Sequence, residues 1–208
     1  IDFELHASGL GEQLDPDGAD LFYIGGGQDR DQQRCAFDLA EVKREALHEI
    51  AARGAVILAV CGGYQLLGHS YQLGEETLPG VGLVDAVTVR EDGPRLIGNV
   101  AIEVELRPGE RRVLAGFENH GGRTFLGTEA SALGRVLKGH GNNDKDGCEG
   151  IRKQSVLGTY LHGPLLPKNA WFADWLIETA LGLDEPLEPL DDELEAAAHA
   201  DARRAAGV

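Results

Sequence analysis

Six consecutive apolar residues, Ala55 to Val60, end abruptly at Cys61-Gly62-Gly63, and a helix-forming stretch begins at Tyr64. No other part of the chain constrains the fold as tightly. An unbroken apolar run of this length reads as a strand buried on both faces, the mark of a parallel sheet covered by helices. A sharp turn from such a strand into a helix leaves the side chain at its tip exposed. Small neighbours are needed there because the turn brings backbones close together. Cys61 is the tip residue. A helix starting directly after it points amide hydrogens and the positive end of its dipole at the sulfur.

The surrounding pattern agrees with a sheet of this kind. Leu21 to Ile24 is a short apolar run stopped by Gly25-Gly26-Gly27. Residues 38–53 carry Leu39, Val42, Ala46, Leu47 and Ile50 at helical spacing, and Gly54 is placed to close that helix. Strand, helix, strand, helix is the rhythm of an α/β fold. The middle changes character: residues 82–90, 98–107 and 115–119 read as shorter strands, an antiparallel extension. Residues 139–150 are rich in Gly, Asn and Asp and read as a loop. Residues 155–161 form a strand and 169–181 an amphipathic helix. The 208 residues suit one domain, 1–208, with a core over about 1–183 and an acidic, alanine-rich segment at 184–208 that reads as a solvated terminal helix. Ile1-Asp2-Phe3-Glu4-Leu5 reads as a short strand, and the chain lacks methionine. The expectation is that an N-terminal strand and helix are missing from this sequence.

Charge excludes some functions. Asp and Glu number 35 against 19 Lys and Arg, a net charge of −16, which repels phosphate backbones and anionic lipid. No stretch approaches the roughly 20 apolar residues of a membrane span, and no signal peptide is recognisable. A cytoplasmic protein with no nucleic-acid partner is the expectation. Cys35, Cys61 and Cys148 fit neither a disulfide framework nor a metal site, and the histidines show no metal-ligand spacing.

Three further segments can serve a thiol at position 61. Gly158-Thr159-Tyr160-Leu161-His162-Gly163-Pro164 sets a histidine at a strand end before a rigid turn. In a parallel sheet the carboxyl ends of strands form the functional edge, and nucleophile and base need to meet only in space. The amides of Gly26 or Gly27, with that of Gly62, could form an oxyanion hole. A phosphate loop would need the lysine and spacing that this glycine run lacks. Asn119, His120 and Gly121 offer polar groups suited to a zwitterionic ligand, and Arg95 could hold a carboxylate in a two-pronged contact. Taken singly, each of these is equally a surface turn.

Cys61-Gly62-Gly63-Tyr64-Gln65-Leu66-Leu67-Gly68 resembles the nucleophile motif of class I glutamine amidotransferases of the cobyric acid synthase-like branch. Gly25-Gly26-Gly27-Gln28-Asp29, Glu118-Asn119-His120-Gly121-Gly122-Arg123-Thr124 and Gly139-His140-Gly141-Asn142-Asn143 are similar to motifs of the glutaminase subunits of lipid II isoglutaminyl synthases. The resemblance implies a flavodoxin-like domain whose mostly parallel central sheet is flanked by helices. It implies L-glutamine hydrolysis through a thioester on Cys61, with His162 as base and Arg95 anchoring the substrate. No metal or cofactor is expected in this subunit. Ammonia would pass to a Mur-ligase-like partner in a heterodimer, where ATP and Mg drive amidation of D-glutamate in lipid II. Pro164 stands where most members carry a glutamate, so a third catalytic group comes from elsewhere, is absent, or arrives from the partner, the last being the expectation. Three alternatives stay open: another acceptor, such as a cobyrinic-acid-type substrate; a catalytically silent binding module; and a cysteine peptidase on the same scaffold.

Overall fold

The computed structural model describes residues 2–27 and 29–208. Ile1 of the expected opening strand and Gln28 of the glycine motif lie outside the described residues. In chain order the elements are β1 (Leu21–Ile24), α1 (Asp29–Phe37), α2 (Arg44–Ala52), β2 (Val56–Val60), α3 (Gly62–Leu67), β3 (Ser70–Leu73), β4 (Glu76–Pro79), β5 (Ala86–Arg90) and β6 (Leu96–Arg107). There follow β7 (Glu110–His120), β8 (Gly122–Leu126), β9 (Gly134–Lys138), β10 (Cys148–Glu149), β11 (Ile151–Lys153), β12 (Val156–Thr159), α4 (Ala170–Leu181) and α5 (Glu193–Ala206).

The central sheet has the order β1-β2-β12-β11, with β2 parallel to both β1 and β12 and only β11 antiparallel. All five residues of β2 are buried, as its sequence requires. Alternation divides them between two cores. Val56, Leu58 and Val60 pack with Phe172, Trp175 and Leu176 of α4 and with Val100, Ile102 and Val104 of β6. Ile57 and Ala59 pack with Leu47 and Ile50 of α2 and with Tyr64 and Leu67 of α3. The carboxyl ends of β2 and β12 therefore emerge side by side, in register at Val60 and Thr159.

The antiparallel part is larger than the sequence pattern suggests. The extension comprises two further four-stranded sheets, the antiparallel β10-β9-β6-β7 and the mixed β4-β3-β5-β8, in which β3 and β5 run parallel. The strands expected at 98–107 and 115–119 are the arms of one long hairpin, β6 and β7. Three other expectations need correction. The helix expected over 38–53 is broken by a π-helical turn, Asp38–Val42, with α2 starting after it. Lys43 at the break is buried, and its Nζ donates to the Gly9 carbonyl at 2.9 Å and pairs with Asp38. Satisfying a buried ammonium outweighs a regular helical ladder there. Residues 2–5 form no strand, and Phe3 and Leu5 are 85% and 87% exposed, so no apolar burial holds them in place. The terminal helix is not simply solvated, because the Asn99 side chain on β6 donates to the Ala205 carbonyl of α5 at 3.1 Å and Ala206 is buried. Among the described residues no helix is long and apolar enough to cross a membrane.

Candidate active site

Cys61 sits immediately after β2 with φ 53° and ψ −109°, a backbone conformation that side-chain-bearing residues rarely adopt. Holding it costs on the order of 1–3 kcal/mol, which the surroundings must offset. They do so from three sides. The Cys61 N–H donates to the Thr159 carbonyl at 2.9 Å, tying the turn to β12, and its carbonyl accepts from Gln65 at 3.1 Å. Gly63 presses so closely on β1 that an added Cβ would stand 2.3 Å from the Ile24 carbonyl oxygen. Only glycine permits that approach. Because α3 is only six residues long, any help it gives the sulfur comes from its first amides rather than a long dipole.

The glycine run after β1 reaches this turn. A Cβ built on Gly26 would lie 3.2 Å from the Cys61 Cβ, and one on Gly62 would lie 3.0 Å from the Gly27 nitrogen. The amides of Gly27 and Gly62 are thus close neighbours beside the thiol. Beneath them the buried Gln32 side chain donates to the Gln65 side chain at 2.7 Å.

His162 lies three residues beyond β12 and is half-buried, as is Cys61. Its backbone exchanges two hydrogen bonds of 2.9 Å with Phe117 on β7, so the base is fastened to the long hairpin. The imidazole is hydrogen-bonded to the main chain of Asn119. Arg95 grips the same residue, Nε at 2.7 Å from Asn119 Oδ1 and Nη2 at 2.8 Å from the Asn119 carbonyl. Burial holds the His162 imidazole below its ordinary value, helped by the charges of His120 and Arg95, while the Asn119 bond and Glu118 oppose the shift. A base neutral at physiological pH is the outcome.

Two residues expected to touch a ligand are placed otherwise. His120 is 1% exposed and lies beneath the site. Gly121 is buried, and its carbonyl accepts from Arg90 at 3.1 Å and Arg123 at 2.8 Å. Strand alternation is the reason: Glu118 and His120 share the inward face of β7, while Phe117 and Asn119 turn toward His162.

The segment at 139–150 is more ordered than a polar loop. Asn142 is fully buried, accepts from the Tyr64 hydroxyl at 3.0 Å and from the Gly150 N–H at 2.8 Å, and donates to the Gly150 carbonyl at 3.0 Å. Tyr64 belongs to the helix behind the nucleophile, so this asparagine braces the elbow. Asn142→Ala removes hydrogen bonds from the buried Tyr64 hydroxyl and from the N–H and carbonyl of Gly150, and is expected to cost roughly 2–4 kcal/mol, read from the urea midpoint. An unchanged midpoint would show that the brace is dispensable. Glu149 is buried beside it, accepts from the Tyr160 N–H at 2.6 Å, and is pushed up to about 8, chiefly by desolvation. The sequence reading missed Gln32, Gln65, Glu118, Glu149 and Tyr160. Only Gln65, set between Tyr64 and Leu66-Leu67, carries a signal, a polar residue inside an apolar run.

Comparison with known proteins agrees with this geometry. The profile of the CobB/CobQ-like glutamine amidotransferase domain matches residues 3–170. The lipid II isoglutaminyl synthase (glutamine-hydrolyzing) subunit GatD of Staphylococcus aureus (strain N315) is 43% identical over 185 residues, covering 86% of this chain and 72% of that protein. Its namesake in Streptococcus pneumoniae (strain ATCC BAA-255 / R6) is 38% identical over 173 residues, covering 83% of this chain and 65% of that protein. A solved structure described as a glutamine amidotransferase superposes with a TM-score of 0.53 at 17% identity, over 79% of this chain and 80% of that one, and shows the shared fold.

Proposed function

Because this chain belongs to the CobB/CobQ-like glutamine amidotransferase family, we propose that it is the glutaminase subunit of a lipid II isoglutaminyl synthase. The observation that carries the chemistry is the strained Cys61 elbow, with the Gly27 and Gly62 amides beside it and His162 at the same sheet edge. The acceptor rests on the two GatD relatives.

In this reading His162 takes the thiol proton and Cys61 Sγ attacks the side-chain amide carbon of L-glutamine. The tetrahedral oxyanion is met by the Gly27 and Gly62 N–H groups, with Gly26 shaping the same wall. His162 returns the proton to the leaving nitrogen, and ammonia departs as a thioester forms on Cys61. Water, deprotonated by His162, then cleaves the thioester to glutamate and restores the thiol. Arg95 and Asn119, already joined, present polar groups for the α-carboxylate and α-amine of the substrate.

Within this chain the imidazole is oriented by the Asn119 main chain rather than by a carboxylate two residues on, where Pro164 stands. A carboxylate brought by a Mur-ligase-like synthetase in a heterodimer would join or replace that contact and couple hydrolysis to assembly. The partner would hold ATP and Mg and receive the ammonia in the cytoplasm. The test is reconstitution of the chain with such a synthetase, lipid II, L-glutamine and MgATP. Glutamine-dependent amidation of the stem peptide is the expected result. Absence of a complex, with ammonia still released, would move the acceptor to another substrate, such as a cobyrinic-acid-type acid.

A further inference from the structure

His120 ends β7 with its side chain wholly shielded from solvent. Its Nδ1 lies 2.8 Å from the Gly122 carbonyl oxygen. A carbonyl only accepts, so Nδ1 carries the hydrogen, and Nε2 is either a bare lone pair or a second N–H. Among the described residues, Nε2 of His120 is the one buried side-chain polar atom without a hydrogen-bond partner. It faces the equally shielded Glu118 carboxylate, whose Oε2 is 3.8 Å away. A bare lone pair turned to a carboxylate in a dry interior is repelled, whereas an N–H there is attracted. The main-chain N–H groups of His140 and Gly141 point at the same carboxylate at 2.6 and 3.0 Å, as they would at an anion. One face of the His120 ring stacks on Tyr160 with centroids 3.6 Å apart and planes 5° from parallel, a surface that suits a cationic ring.

We propose that His120 and Glu118 hold one proton between them, carried on Nε2 as an N–H that faces the carboxylate, and that this net-neutral pair is the positioning pair of His162, keeping the carboxylate's field off the base. The placement supports it. Residues 117–120 form the strand end to which His162 is fastened, through Phe117 and the Asn119 main chain. His162 responds to both charges: Glu118 favours its protonated form and a positive His120 opposes it. With the proton in place the two effects offset, and His162 is neutral when the thiol proton must be taken. The other ionisable groups around the site are Arg95 before β6, Arg90 on β5, Arg123 on β8, His140 after β9, Glu149 on β10, Tyr64 on α3, Tyr160 after β12 and the Cys61 thiol. The variants below leave all of them in place.

The consequence for catalysis rests on the glutaminase reading, but the test does not. It measures the rate of Cys61 alkylation by iodoacetamide against pH, with peptide mapping to separate Cys61 from Cys35 and Cys148. His120→Asn keeps a donor for the Gly122 carbonyl but removes the shared proton, exposing the carboxylate. The midpoint of the acid limb is then expected to rise by roughly one pH unit. Glu118→Gln removes the carboxylate and the proton together and leaves the midpoint where it is. An unmoved midpoint in His120→Asn, or a lowered one in Glu118→Gln, overturns the proposal. Nitrogen-15 NMR of histidine-labelled wild-type chain decides the matter if a variant does not fold. A protonated His120 Nε2 at neutral pH supports the pair, and a bare one overturns it. A raised midpoint in His120→Asn without ammonia release from glutamine would sink the glutaminase reading and keep the pair. Ammonia release with unmoved midpoints would do the reverse.

Discussion

Cys61→Ala is expected to lower glutamine-dependent ammonia release by at least about 10⁴-fold while the chain stays folded, because no other group at the elbow can form the thioester. Cys35 and Cys148 cannot substitute for it. Each is held above the ordinary thiol range, mainly by desolvation, with acidic neighbours adding to the effect. The same position carries a stability signature. At φ 53° and ψ −109° any side chain is strained, so Cys61→Gly should be more stable than Cys61→Ala by about 1 kcal/mol, the reverse of the usual order for these residues. Thermal unfolding of the two inactive variants compares them directly. Alanine proving the more stable would mean that the turn is not strained in solution.

His162→Asn is expected to reduce kcat/KM by about 10³–10⁴-fold, since thiol activation and ammonia departure both need a proton carrier at that place. The wild-type pH profile gives the sign of its environment. Burial, then the charges of His120 and Arg95, hold the imidazole below its usual range, so the neutral base persists as pH falls. The acid limb of kcat/KM should therefore lie below about pH 6.5, the ordinary histidine value. A limb above that value would mean that the opposing Asn119 and Glu118 contacts dominate, and that the base is largely charged at neutral pH.

The elbow was legible in the sequence because two periodicities meet there. An unbroken apolar run of six residues bounded by glycines is too short for a buried helix and reads as a strand buried on both sides, and β2 does divide its residues between two cores. The glycines before and after it were legible for the same steric reason, since Gly63 has no room for a Cβ against Ile24. Less visible was everything that depends on long-range pairing. The hairpin of β6 and β7 brings Arg95 and Asn119 together across 24 positions, and no local pattern records that contact. The break at Lys43 depends on a carbonyl 34 residues away. From the sequence, Asn119, His120 and Gly121 offer their polar groups to a ligand. Alternation along β7 instead gives Asn119 to the side of His162 and buries His120 with Glu118. The resemblance to glutamine amidotransferases supplied the substrate. The bare spacing of a thiol, a histidine and glycines would have served a peptidase equally.

The measurement that most directly tests the claim that Cys61 is a glutamine-directed nucleophile is labelling with the diazoketone analogue of L-glutamine, located by peptide mass spectrometry. The account predicts one adduct per chain, on Cys61, suppressed by L-glutamine and absent in His162→Asn on the same timescale. Labelling confined to Cys35 or Cys148, or a Cys61 adduct that forms equally fast in saturating L-glutamine, would contradict it.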